Sequence, residues 1–161
     1  MTSPLLKENN PNIKTLLIIP PPICAYRWGQ VDRAAGRNPQ RTAEHTALYA
    51  AQARSIANEL CVPFVDLWTE FLSAAGWTPT QPLIGSTTIP QNDRLGELLH
   101  DGLHFSTEGN KLCFRTILDK IKGVYPELIP EDMETNIPMW DMNKDTLAIV
   151  RERVSNWASN C

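Results

Sequence analysis

Residues 15–19 of this chain read Thr-Leu-Leu-Ile-Ile and run straight into three prolines, Pro20, Pro21 and Pro22. A short apolar run of branched residues with breakers at its end suits a strand buried on both faces, as in parallel sheets. Three prolines in a row supply no ladder donors and forbid a helix immediately after the strand, so the chain must leave in extended form. Residues 23–40 then read as a loop, punctuated by Gly29, Gly36 and Asn38-Pro39.

From about residue 40 to 60 the period changes. Ala43, Ala47, Ala50, Ala53, Ala57 and Leu60 recur at spacings of three and four, which predicts a helix with one small apolar face able to approach a sheet closely. Val62 to Leu67 is a second apolar run and a second strand. Strand, long loop, helix, strand is a crossover unit, so the two strands should be parallel and the connection right-handed. A short helix is expected over 68–75, stopping at Gly76, and residues 77–93 read as loop. A further helix over 107–123 takes Ser106 as its N-cap, with Phe114, Ile117, Leu118, Ile121 and Val124 as its buried stripe. A last helix is expected over 145–158, with Leu147, Val150, Val154 and Trp157 on one side.

At 161 residues and 42% apolar content the chain can bury one core. A net charge of −3 with scattered Lys and Arg gives no reason to expect nucleic acid or an anionic membrane surface as partner. No apolar stretch approaches the roughly 20 residues of a membrane span, and residues 1–14 lack a signal peptide's apolar middle. Four widely spaced cysteines fit neither a zinc site nor a disulfide framework. The expectation is reduced thiols, a cytoplasmic setting and no cofactor.

The chemistry concentrates in residues 100–109, His-Asp-Gly-Leu-His-Phe-Ser-Thr-Glu-Gly. Asp101 and His104 form a carboxylate–imidazole pair across a glycine. The carboxylate can hold one ring nitrogen and leave the other to take a proton from a nucleophile. Asp-Gly also makes ordinary turns, and a histidine near a helix start can simply pack or cap. A metal site from His100, Asp101 and His104 would need a helical spacing that Gly102 breaks. Ser86 follows Gly85 but sits in a loop with no strand before it, unlike a nucleophile elbow. Ser106 is accounted for as a cap, and His45 as a helix-surface residue.

Asp101-Gly102-Leu103-His104-Phe105-Ser106, followed by Gly109-Asn110, resembles the last conserved block of the SGNH (GDSL-type) esterases and lipases. Within them it looks most like the isoamyl acetate-hydrolysing esterase group. Ile18-Ile19-Pro20-Pro21-Pro22, Val65-Asp66-Leu67-Trp68 and Pro138-Met139-Trp140-Asp141 agree with the family in the same order. The resemblance implies an α/β fold, a partial three-layer α/β/α sandwich retaining the last two parallel strands and the C-terminal helices. It divides the chain into a polar segment (1–14), the hydrolase portion (15–142) and a helical extension (143–161). His104 would be the general base and Asp101 its orienting carboxylate, acting on a small uncharged ester such as a short-chain or acetate ester. Ile23, Tyr26 and Trp28 would line an apolar pocket. The family's Gly-Asp-Ser nucleophile block, its oxyanion glycine and its Gly-x-Asn-Asp block precede the triproline strand, and none occurs in these residues. The chain alone is therefore expected not to hydrolyse esters, whether it is a C-terminal segment from an incomplete gene model, a shortened isoform or a non-catalytic interaction module. The strand at Thr15, Leu16, Leu17, Ile18 and Ile19 would then be an edge open to self-association.

Overall fold

The computed structural model describes residues 12–129. The helix expected over 145–158 and the Pro138–Asp141 block lie outside them. The chain divides into two compact units, residues 1–126 and 127–161, and the first carries the strands, the α-helices and the candidate site described below.

Strand β1 (Leu17–Ile19) pairs in parallel with β2 (Phe64–Asp66), with Leu17 opposite Phe64 and Ile19 opposite Asp66. Both strands are shorter than the apolar runs that announced them. Ile19 is fully buried, whereas Ile18 is 47% exposed. β1 is thus buried on one face only, which corrects the two-sided burial expected for it.

Between the strands lie helix α1 (Ala25–Ala34) and helix α2 (Ala43–Glu59). Helix α1 occupies a stretch expected to be loop. Its buried positions are Ala25, Gly29 and Asp32, a helical spacing written in residues that carry almost no hydrophobic signal. The three prolines keep the chain out of helix directly after β1, as expected, and Ile23 and Cys24, buried in the core, complete the exit before the helix begins. Helix α2 follows the expected alanine face. Ala43, Ala50 and Ala57 are buried at seven-residue intervals, and the small side chains let the helix lie close to both strands. Thr42 caps it, its Oγ1 accepting from the His45 amide at 3.1 Å. Leu60, expected on that face, lies beyond the last turn and is exposed.

Helix α3 (Leu67–Ala74) begins directly after β2, capped by Asp66, whose Oδ1 accepts from the Thr69 amide at 3.1 Å. Phe71 and Leu72 are fully buried, and with Val65, Leu95 and Leu99 they make the centre of the core. Helix α4 (Asp93–Leu98) is capped by Asn92, and helix α5 (Thr107–Val124) by Ser106, as the sequence indicated. The expected stripe on α5 is only half-buried, and Phe114 is 65% exposed. Ile117 of that stripe packs against the core, joined by Leu112 and Cys113, which the stripe did not include. A 3-10 turn follows at Pro126–Leu128. The described residues are thus a mixed α/β arrangement of two parallel strands and five α-helices. None of these helices is long and apolar enough to cross a membrane.

Candidate active site

The segment joining α4 to α5 is a small closed loop. Leu99 and Phe105 form an antiparallel bridge, and the amide of His100 donates to the carbonyl of His104 at 3.1 Å. Leu99 is fully buried, and Phe105 stacks on Phe71 with ring centroids 4.9 Å apart. Two core side chains therefore anchor the loop's base and leave residues 100–104 at its tip.

Within the tip, Asp101 organises the backbone. Its Oδ1 accepts from the amides of Leu103 at 2.9 Å and His104 at 2.8 Å, an Asx turn that brings His104 back over the carboxylate. Oδ2 lies 2.7 Å from His104 Nδ1. Desolvation on part-burial pushes the Asp101 carboxyl upward. It is outweighed by the hydrogen bonds from the His104 ring and from the His104 and Leu103 amides, together with attraction to His104. The net effect lowers the carboxyl to about 2. Asp101 is ionised at neutral pH, and its bond to Nδ1 selects the tautomer that leaves Nε2 free to accept a proton. The imidazole is 63% exposed, and its Nε2 makes no hydrogen bond with the described residues. Sequence placed Asp101 and His104 together, and they meet in the geometry of an oriented base.

Gly102 fixes where that base stands. Its φ of +94° is open mainly to glycine, and a Cβ there would lie 2.5 Å from the Cys24 carbonyl oxygen and 2.7 Å from the Trp28 amide nitrogen. This close approach allows the Cys24 amide to donate to the Gly102 carbonyl at 2.8 Å, while the next amide, Ala25, donates to Gly85 at 2.7 Å. Cys24 offers no side-chain cap to α1. Two glycine carbonyls from distant loops satisfy the amides that would otherwise be orphaned there. Arg27 adds a clamp, donating from Nη1 to Gly96 O at 2.9 Å and to His100 O at 3.4 Å. Trp28, one position on, meets the His104 ring edge-on at 5.7 Å.

The two nearby hydroxyls are engaged elsewhere. Ser106 Oγ donates to the Glu97 carbonyl and accepts from the Gly109 amide. Ser86 is buried, with its Oγ 2.9 Å from Thr88 Oγ1, and its hydroxyl, hydrogen-bonded to Glu44, draws that carboxyl below the usual range. Among the described residues no hydroxyl reaches the imidazole of His104. Nor does any group of three His, Cys, Asp or Glu side chains among them converge as a metal site. His100 sits beside the pair, its Nε2 3.8 Å from Asp101 Oδ2.

No family model matches the chain. Curated proteins do. An Arabidopsis thaliana GDSL esterase/lipase is 30% identical over 83% of this chain and 49% of its own length. A second from the same plant is 29% identical over 83% of this chain and 48% of its own. The isoamyl acetate-hydrolyzing esterase of Saccharomyces cerevisiae is 33% identical over 62% of this chain and 35% of its own. The chain's curated homologues are GDSL esterase/lipases and isoamyl acetate-hydrolyzing esterases. The chain spans about half the length of the first curated relatives it matches.

Two cavities share Arg41 in their walls, and neither is lined by Asp101 or His104 themselves. One, of about 570 Å³, is walled by Trp28, Asp32, Arg37 and Asn38; the other, of about 460 Å³, by the three prolines, His45 and Leu103. Gln40 and Arg41 belong to both. Of the aromatic and aliphatic residues expected to line a pocket, Ile23 and Trp28 do so, and Tyr26 is not among the lining residues of either cavity. Sequence reading passed over Arg27, Arg41 and the glycine carbonyls. The one cue available was Gly102 itself, inside a histidine- and carboxylate-bearing turn.

Proposed function

We propose that these residues supply the general base of a serine carboxylic ester hydrolase acting on short-chain or acetate esters. The observation that carries the reading is His104 Nδ1 held 2.7 Å from an ionised Asp101, with the imidazole largely exposed. In the proposed reaction Nε2 takes the proton of a serine hydroxyl as its oxygen attacks the ester carbonyl carbon. The same proton then leaves with the departing alkoxide as an alcohol. Water repeats the sequence on the acyl-enzyme, releasing the acid and regenerating the serine, so that ester and water become acid and alcohol. The esterase names of the homologues support this chemistry.

The reading assigns the nucleophilic serine and the oxyanion donors to sequence other than these 161 residues, which contain no Gly-Asp-Ser block. Each oxyanion donor is worth about 3 kcal/mol of barrier. A base lacking both nucleophile and donors should therefore give no measurable turnover. In the same reading β1 and β2 are the outer pair of a larger parallel sheet in a three-layer α/β/α sandwich, in a cytoplasmic protein. Where nothing covers β1, its free edge, with Ile18 half-exposed, pairs with a second copy.

The test joins a Gly-Asp-Ser-bearing segment of a relative ahead of these residues and measures p-nitrophenyl acetate hydrolysis. The fusion is expected to hydrolyse the ester, with His104→Ala losing about 10³-fold or more, and the 161-residue chain alone to show no His104-dependent rate. A folded, active fusion indifferent to His104→Ala would refute the assignment.

A further inference from the structure

Resting on the ester-hydrolase reading, we infer that the ester presented to His104 carries an anionic group, held by Arg41. The guanidinium of Arg41 lies over the indole of Trp28, with Cζ 5.4 Å from the ring centroid. The same indole meets His104 edge-on at 5.7 Å. Cation and imidazole thus both contact the same tryptophan side chain.

The charges in the cavity walls are not all available. Arg37 is spent, its Nε and Nη2 each 2.9 Å from Oδ1 of Asp32, a carboxylate whose side chain is only 8% exposed. That pair cancels. Arg41 makes no ion pair and no hydrogen bond with the described residues, so among them its planar fork of N–H donors meets only the Trp28 ring. An arginine pre-oriented on an aromatic face is suited to bidentate capture of a carboxylate or phosphate, because little side-chain freedom remains to be lost. His45, on the far wall of the smaller cavity, adds no negative charge.

The cavities also fit such a ligand in shape. Arg41 and Gln40 line both, and the smaller cavity is also walled by Pro20, Pro21, Pro22 and Leu103, the residue before the base. A short apolar chain along that wall would reach from Arg41, holding its charged end, to Leu103, next in sequence to the base. A neutral chain would fill the same wall and leave the guanidinium donors to water. The substrate class is therefore a half-ester or similarly charged ester, in place of the uncharged ester implied by resemblance.

The experiment titrates the isotopically labelled 161-residue chain with monomethyl glutarate, an anionic half-ester, and with neutral dimethyl glutarate. The Trp28 indole and His104 imidazole signals are followed by NMR. The half-ester is expected to shift both signals and to bind at least about tenfold tighter than the diester, an advantage that shrinks as salt is raised. Arg41→Gln should bring the half-ester down to the diester's affinity, and Arg41→Lys, which keeps the charge without the fork, should fall between. Arg41 is exposed, so these variants should fold. Equal binding of the two ligands, no response to either, or an unchanged affinity in Arg41→Gln would overturn the inference. Arg41-dependent binding alongside a fusion esterase indifferent to His104 would keep the anion site and remove the ester reading. His104-dependent hydrolysis with no preference for the half-ester would do the reverse.

Discussion

Replacing Asp101 with asparagine removes one negative charge and leaves the Asx turn buildable. The amide oxygen can still accept from Leu103 and His104 N–H, as Oδ1 does at 2.9 and 2.8 Å. What is lost is the charge-assisted bond to His104 and the ionisation that the folded turn favours. The native carboxyl is lowered to about 2, against about 4 in an unfolded chain. A folded-state pKa below the unfolded one contributes stability above the unfolded value and loses it as pH falls through the folded value. For this pair of values the contribution is about 2.5 kcal/mol at pH 7, about 1.4 kcal/mol at pH 3, and nothing below both. Urea unfolding of the native chain and Asp101→Asn, followed by far-ultraviolet circular dichroism at pH 7, 5 and 3, measures the gap directly. The gap should be about 2 kcal/mol at pH 7 and smaller by about 1 kcal/mol at pH 3. A gap that stays constant across this range, or never exceeds about 0.5 kcal/mol, the usual size of a neutral surface change, would refute the account of the turn.

Gly102→Ala forces a Cβ against the Cys24 carbonyl at a φ of +94° and should destabilise the chain by about 2–4 kcal/mol, read as a lowered urea midpoint. Asp66→Ala removes the cap of α3 together with the Arg54 contacts at 2.8 and 2.7 Å. It is expected to cost about 2 kcal/mol, while Asp66→Asn, which keeps the capping oxygen, should cost less. Ile18→Lys places a charge on the half-exposed strand and should abolish the concentration-dependent association proposed for β1. Sedimentation velocity showing a native monomer at every concentration would count against that pairing.

What could be read in the chain without coordinates was whatever is written locally. The two apolar runs declared themselves as strands and the alanine period declared α2, and the crossover rule made the strands parallel. Ser106 was recognisable as a cap because its hydroxyl acts on an amide three residues away. Asp101 and His104 were recognisable as a pair for the same reason. Helix α1 escaped notice because its inward face is Ala25, Gly29 and Asp32, and because its first amides are satisfied by Gly102 and Gly85 from far along the sequence. Phe114 misled in the opposite sense. Its spacing fits a core stripe, yet α5 meets the core through Leu112, Cys113 and Ile117. Arg41 carries no periodic or motif signal at all; only the fold brings it onto Trp28.

The two glycine carbonyls at the head of α1 bear on any attempt to move this chemistry elsewhere. A short peptide copying residues 99–105 would retain the contact between carboxylate and imidazole, since its bonds are internal, but it would have lost its address. The amide of Cys24 and the ring of Trp28 supply that address. A transplanted loop would therefore need a receiving helix whose opening amide is vacant and whose first turn tolerates a neighbouring backbone at glycine distance.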